Sequence, residues 1–185
     1  DEGLDTGDIL LTKSLRIARR ETAGTLHDRL GALAPSALAE ALTLLKQGRA
    51  PRIPQDHSQA TYAPKLDRAF GEIDWSASRE SIDRKVRAMN PWPGAYTWLP
   101  TEEGPRKLKV YTIIQHRWNI GAPGTVVRSD KHGILGAAGQ GGILLRAVQL
   151  EGKRRMSARD MLNGLPVKSG TVLGATAPRA ETPAG

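Results

Sequence analysis

The chain has 185 residues, 39% of them hydrophobic and 25% charged, which suits one large globular domain or two small ones. It has no cysteine, its four histidines (His27, His57, His116, His132) lack metal-ligand spacing, and no apolar run approaches the roughly 18 residues of a membrane span, so thiol chemistry, disulfides and a spanning helix are excluded. The net charge of +8 is uneven: residues 1–69 carry 10 Lys and Arg against 9 Asp and Glu, residues 70–175 carry 16 against 9, and such a basic second segment suggests a polyanionic partner such as RNA, a soluble basic domain being the plainer alternative.

The chain opens Asp1-Glu2-Gly3-Leu4-Asp5-Thr6-Gly7-Asp8-Ile9-Leu10. Thr6-Gly7 permits a tight turn because glycine tolerates positive φ. The turn sets the Asp5 carboxylate on a loop beside an apolar run, a place suited to catalysis and equally to a turn aspartate bonding its own backbone. Residues 9–18 read as a strand, with Leu15 and Ile17 alternating against Ser14 and Arg16. Thr22 is the expected N-cap of a helix with Leu26, Leu30 and Leu33 on one face. Pro35 suits the first turn of a second helix carrying Leu38, Leu42 and Leu45, and Gly48 is its expected stop. Strand, helix, helix alone would expose a leucine stripe that needs a sheet to cover it.

Residues 49–69 contain three prolines and read as a semi-rigid linker, on which Lys65 and Arg68 either face a nucleic acid or are simply solvated. Ile73-Asp74-Trp75 follows; Ser76 and Ser78 are candidate caps of a helix with Ile82, Val86 and Met89 inward. Asn90-Pro91-Trp92-Pro93-Gly94-Ala95 forbids helix and imposes a bend, with Trp92 expected as a core plug in preference to a binding role. From residue 95 to 150, short strands alternate with turn residues, the clearest being Lys107-Leu108-Lys109-Val110-Tyr111-Thr112-Ile113, and this spacing predicts a small β-barrel. Gly139, Gly141 and Gly142 are no phosphate loop, since the Gly-Lys-Ser/Thr ending is missing. Lys153-Arg154-Arg155 precedes Ser157, the expected cap of a short helix anchored by Met161 and Leu162, and suits phosphate contact or a solvated turn. Residues 165–173 are a candidate last strand, and residues 176–185 read as a disordered tail.

Gly3-Leu4-Asp5-Thr6-Gly7-Asp8-Ile9-Leu10 resembles the signature loop of formyltransferases that use 10-formyltetrahydrofolate. Ile73-Asp74-Trp75, Asn90-Pro91-Trp92-Pro93-Gly94-Ala95 and residues 152–164 resemble the carboxy-terminal domain of the methionyl-tRNA formyltransferase family, and Thr61-Tyr62-Ala63-Pro64-Lys65-Leu66 resembles its connecting segment. The resemblance implies an α/β remnant, the end of a Rossmann-like catalytic domain, at 1–48, a linker at 49–69, and at 70–175 a small β-barrel resembling the oligonucleotide-binding fold. It implies transfer of a formyl group from 10-formyltetrahydrofolate to the α-amino group of initiator methionyl-tRNA, in the cytoplasm, by a monomer. Asp5 would be catalytic; Gly3, Leu4, Asp5 and Thr6 would line the folate pocket; Lys107, Lys109, Arg146, Lys153, Arg154, Arg155 and Arg159 would contact tRNA phosphates. The family's Asn-x-His pair lies upstream of the signature loop and no Asn-x-His occurs here, so the 185 residues look like a fragment expected to be inactive alone. A formyltransferase acting on a nucleotide sugar, or an RNA-binding module without chemistry, are the alternatives; the basic second segment argues against the first and the retained Asp5 loop against the second.

Overall fold

The computed structural model describes residues 2–174, and the tail expected at 176–185 lies outside them. The chain forms two compact units, Asp1–Lys65 and Leu66–Gly185.

The first unit is built on one helix, α1 (Ala23–Lys46). Thr22 caps it reciprocally: its hydroxyl accepts from the Thr25 amide at 3.2 Å while the Thr25 hydroxyl accepts from the Thr22 amide at 3.0 Å. The expected break at Pro35 does not occur; the proline sits inside a 24-residue helix. A mid-helix proline costs about 3 kcal/mol, and the leucine- and alanine-rich turns on either side carry the helix across it. Gly48 does end it, in the left-handed conformation (φ 66°) with its amide on the Leu45 carbonyl. No residue of α1 is buried, and Leu30, Leu38, Leu42 and Leu45 are exposed.

The strand expected over 9–18 is reduced to one bridge. Ile9 and Ile53 exchange both backbone hydrogen bonds, at 2.9 and 3.2 Å, and no other residue of 9–18 joins a ladder among the described residues. Alternation alone does not make a strand; the backbone needs a neighbour to pair with. The linker is extended apart from single 3₁₀ turns at His57–Gln59 and Ala69–Gly71.

The second unit starts with α2 (Arg79–Ala88), capped by the Ser78 hydroxyl as expected. Its buried residues are Ile82 and Val86, one turn apart on the same face. Five strands follow: β1 (Ala95–Thr101), β2 (Gly104–His116), β3 (Val126–Asp130), β4 (Gly133–Ala137) and β5 (Gly142–Leu150). They form an antiparallel sheet in the order β1-β2-β5-β4-β3, with the short β6 (Met156–Ser157) beside β5. The α3 helix (Ala158–Gly164) is capped by Ser157 and docks Ala158 and Met161. No strand forms over 165–173. Instead this segment ties the two sheet edges together: the Val126 amide donates to Thr171, Leu173 donates to Gly124 beside β3, and Gly174 donates to Trp98 on β1. The sheet therefore curls around a core in which Ile82, Leu99, Leu108, Ile134, Ile143 and Leu145 are all but inaccessible. Each such side chain contributes about 1.5–3 kcal/mol on burial.

The core plug is Trp75 and not Trp92, the residue expected to fill it. Trp92 is 57% exposed, whereas Trp75 is 5% exposed and donates from Nε1 to the buried Thr97 hydroxyl at 2.9 Å. Gly139 is needed for close approach: a Cβ there would lie 1.8 Å from the Ser76 carbonyl oxygen. Its amide donates to the carbonyls of Trp75 and Ala77, a structural job unrelated to phosphate.

Candidate nucleic-acid interface

The antiparallel register decides which cations of the second unit meet. The two-residue loop Glu102-Glu103 joins β1 to β2 with Thr101 opposite Gly104, which places Trp98 opposite Lys107 and Tyr96 opposite Lys109. Leu108 and Val110 point into the core, so Lys107 and Lys109 share the other face with both aromatics. On the far side of β2, Lys109 stands opposite Gln149 of β5.

This outer face is held together by specific contacts. The Tyr96 and Trp98 rings meet edge to face, with centroids 6.0 Å apart. Glu72 uses one carboxylate oxygen to accept from the Tyr96 hydroxyl and the other to accept from Trp98 Nε1, both at 3.1 Å. Burial first, and then the Glu72 carboxylate, push the Tyr96 hydroxyl above the ordinary phenol range, which keeps it a neutral donor. Lys107 Nζ lies 4.2 Å from the Tyr96 ring centroid and 5.1 Å from that of Trp98.

The next station along the face is Tyr111. The β2–β5 register shifts around it, and its hydroxyl donates to Gln149 Oε1 at 2.6 Å. The Arg155 guanidinium stacks 4.4 Å over its ring. Gln149 also donates from Nε2 to the Lys153 carbonyl, which pins the turn that carries Lys153, Arg154 and Arg155. Lys107, Lys109 and Arg155 thus lie on one aromatic-backed strip, with the exposed Lys153 and Arg154 in its adjoining turn. Arg146 stands exposed where β5 passes from pairing with β4 to pairing with β6. Arg159 is exposed in the first turn of α3. No hydrogen bond or ring contact ties Arg146 or Arg159 to the strip among the described residues.

Sequence reasoning named these cations but missed Glu72, Tyr96, Trp98, Tyr111 and Gln149, which orient them. The alternation of Tyr96 and Trp98 in Ala95-Tyr96-Thr97-Trp98-Leu99 was a legible signal for a shared face. Gln149 and the Tyr111–Arg155 stack depend on long-range register and left none.

In the first unit, the loop holding Gly3, Leu4, Asp5 and Thr6 is exposed apart from a half-buried Thr6. Positive φ falls on Asp5 itself (57°) and not on the neighbouring glycine. The Gln55 amide clamps the turn, donating to the carbonyls of Asp5 at 3.0 Å and Gly7 at 2.7 Å, and the Thr6 hydroxyl donates to Gly3. The backbone carbonyls are thereby occupied while the Asp5 carboxylate stays solvent-facing. Among the described residues no group of three or more His, Asp and Glu side chains is placed to hold a metal ion.

The family model described as "Formyl transferase, C-terminal domain" matches residues 65–166. A methionyl-tRNA formyltransferase from Methylacidiphilum infernorum is 48% identical over 94% of this chain and 55% of its own length. Another from Desulforamulus reducens is 43% identical over 94% of this chain and 54% of its own length. The chain thus spans about half the length of the curated relatives it matches. A crystal structure of HypX from Aquifex aeolicus in complex with tetrahydrofolic acid superposes with a TM-score of 0.61 over 88% of this chain and 28% of that one, at 17% identity, which is a likeness of fold. The chain belongs to the formyl transferase family, and residues 65–166 are its C-terminal domain.

Proposed function

We propose that the protein carrying this chain transfers a formyl group from 10-formyltetrahydrofolate to the α-amino group of initiator methionyl-tRNA, and that the strip on β1, β2 and β5 holds the RNA. The observation that carries this reading is the convergence of Lys107, Lys109 and Arg155 on an aromatic-backed face of a domain shared with the tRNA enzymes. Cations seated on rings are held out toward phosphate instead of collapsing onto carboxylates. Lys153, Arg154, Arg146 and Arg159 extend the basic surface and supply position and affinity more than base identity.

The first unit reads as the end of a Rossmann-like catalytic domain (1–48) with its linker (49–69), and the curled sheet as a barrel of the oligonucleotide-binding kind (70–175). The uncovered leucines of α1 support that reading, because they form the surface a preceding sheet would bury. In the reaction, the amine forms a bond to the formyl carbon, the bond from that carbon to the folate nitrogen breaks, and the amine proton leaves as the folate nitrogen gains one. Asp5 would orient and charge-stabilise the proton-shuttling group, with Gly3, Leu4 and Thr6 along the folate. The upstream Asn and His that share this work in the family are not among these residues, so the 185-residue chain should give no turnover by itself.

The test is a formyl-transfer assay on the complete protein, with the upstream half that the relatives carry. Wild type should form formyl-methionyl-tRNA; no product would overturn the reading. Replacing Lys153, Arg154 and Arg155 together by Ala should raise KM for tRNA on the order of a hundredfold at 0.1 M salt and flatten the logarithmic salt dependence of binding by about 2–3, at little cost in kcat. An unchanged salt slope would remove these three residues from the interface.

A further inference from the structure

Trp118 is 61% exposed although it lies in a firmly anchored loop. On one side of it, the Arg79 guanidinium donates to the Arg117 carbonyl at 2.9 Å. On the other, Asn119 Oδ1 accepts from the Gly141 amide at 2.6 Å. Ile120 then packs so closely on Gly142 that a Cβ there would lie 2.5 Å from its Cδ1. Both neighbours of Trp118 are therefore fixed while the indole faces solvent. The Arg117 guanidinium sits 4.4 Å from the indole centroid, and more than half of the residue's surface remains open. An indole this exposed is not held out by core packing, and the anchoring means that presenting it to a ligand costs little further ordering.

We propose that Trp118, backed by Arg117, is a stacking site for an unpaired nucleobase of the bound RNA. This rests on the RNA-binding reading above and adds a contact outside the β1–β2–β5 strip. Two physical features favour a base over a protein side chain. The ring is paired with a guanidinium, the combination that stacks flat π-faces beside a phosphate-bearing chain. The segment of residues 70–175 also carries 16 Lys and Arg against 9 Asp and Glu, which complements a polyanion.

The experiment measures affinity of the complete protein for two probes, an initiator tRNA transcript and a blunt RNA duplex that offers no unpaired loop. Trp118→Ala should weaken tRNA binding about tenfold, leave duplex binding and the salt slope unchanged, and Trp118→Phe should recover most of the loss. Equal tRNA affinity in Trp118→Ala and wild type would overturn the stacking site and leave the indole to a protein partner. Equal losses on tRNA and duplex would also overturn it, since base stacking cannot weaken a fully paired probe. If the stacking site alone is wrong, the Lys153, Arg154 and Arg155 replacement still weakens tRNA binding; if wild type binds neither probe, the RNA reading itself fails.

Discussion

Asp5→Asn in the complete protein is expected to lower kcat for formyl transfer about a thousandfold, within the range for losing a group engaged in proton transfer, while tRNA affinity stays at the wild-type value. The substitution is well suited to isolating charge. Asp5 holds φ 57°, and asparagine is the other common residue that adopts this conformation without large strain. The clamp from Gln55 acts on backbone carbonyls of residues 5 and 7, so it survives the change. What the substitution removes is the negative charge that, in the proposed reaction, steadies the proton-shuttling group, and steady-state kinetics with methionyl-tRNA as the varied substrate reads that loss. A kcat within threefold of wild type would remove Asp5 from the catalytic group and return it to the role of a turn residue.

Trp75→Ala is expected to destabilise the second unit by about 3–5 kcal/mol through the cavity left by the indole. The side chain fills the space that glycine leaves open: a Cβ on Gly136 would lie 3.0 Å from Cζ3 and one on Gly174 would lie 3.1 Å from Cδ1. Neither strand nor closing segment can collapse freely into the void, because Gly174 is tied to Trp98 and Gly139 to the Trp75 carbonyl. Removing Nε1 also orphans the buried Thr97 hydroxyl, at about 1 kcal/mol or more. Trp75→Phe should keep much of the volume and cost only about 1–3 kcal/mol, mostly that orphaned hydroxyl. Urea denaturation reads both, and domains of this kind have about 5–15 kcal/mol in total, so the alanine variant should lose a large share of its stability. A Trp75→Ala midpoint within 0.3 M of wild type would show that the indole is not the plug described here.

The helix caps at Thr22, Ser78 and Ser157 were legible because each needs only its own side chain and the next three residues. The inward face of β2 was legible for a similar reason, since Leu108 and Val110 alternate with lysines. Features that depend on distant partners were not. Residues 9–18 alternate like a strand but have only Ile53 to pair with. Residues 165–173 serve as a strap between sheet edges where a strand was expected. Trp75 and Trp92 are chemically identical, and what separates them is the gap beside Gly136 and Gly174, visible only once the sheet has curled. At the candidate interface the cations could be named from charge runs, but Glu72 reaches Tyr96 and Trp98 across more than twenty positions, and Arg155 meets Tyr111 across more than forty. Pro35 shows the opposite error, a strong local signal overridden by the helix formers around it.

The most direct test of the account is ultraviolet cross-linking of the chain to initiator methionyl-tRNA, with the linked residues mapped by mass spectrometry. Cross-links are expected on the outer sheet face and its adjoining turn, at Lys107, Lys109, Tyr111 and the Lys153-Arg154-Arg155 run. Cross-links confined to other parts of the chain, with those residues unmodified at saturating tRNA, would contradict it.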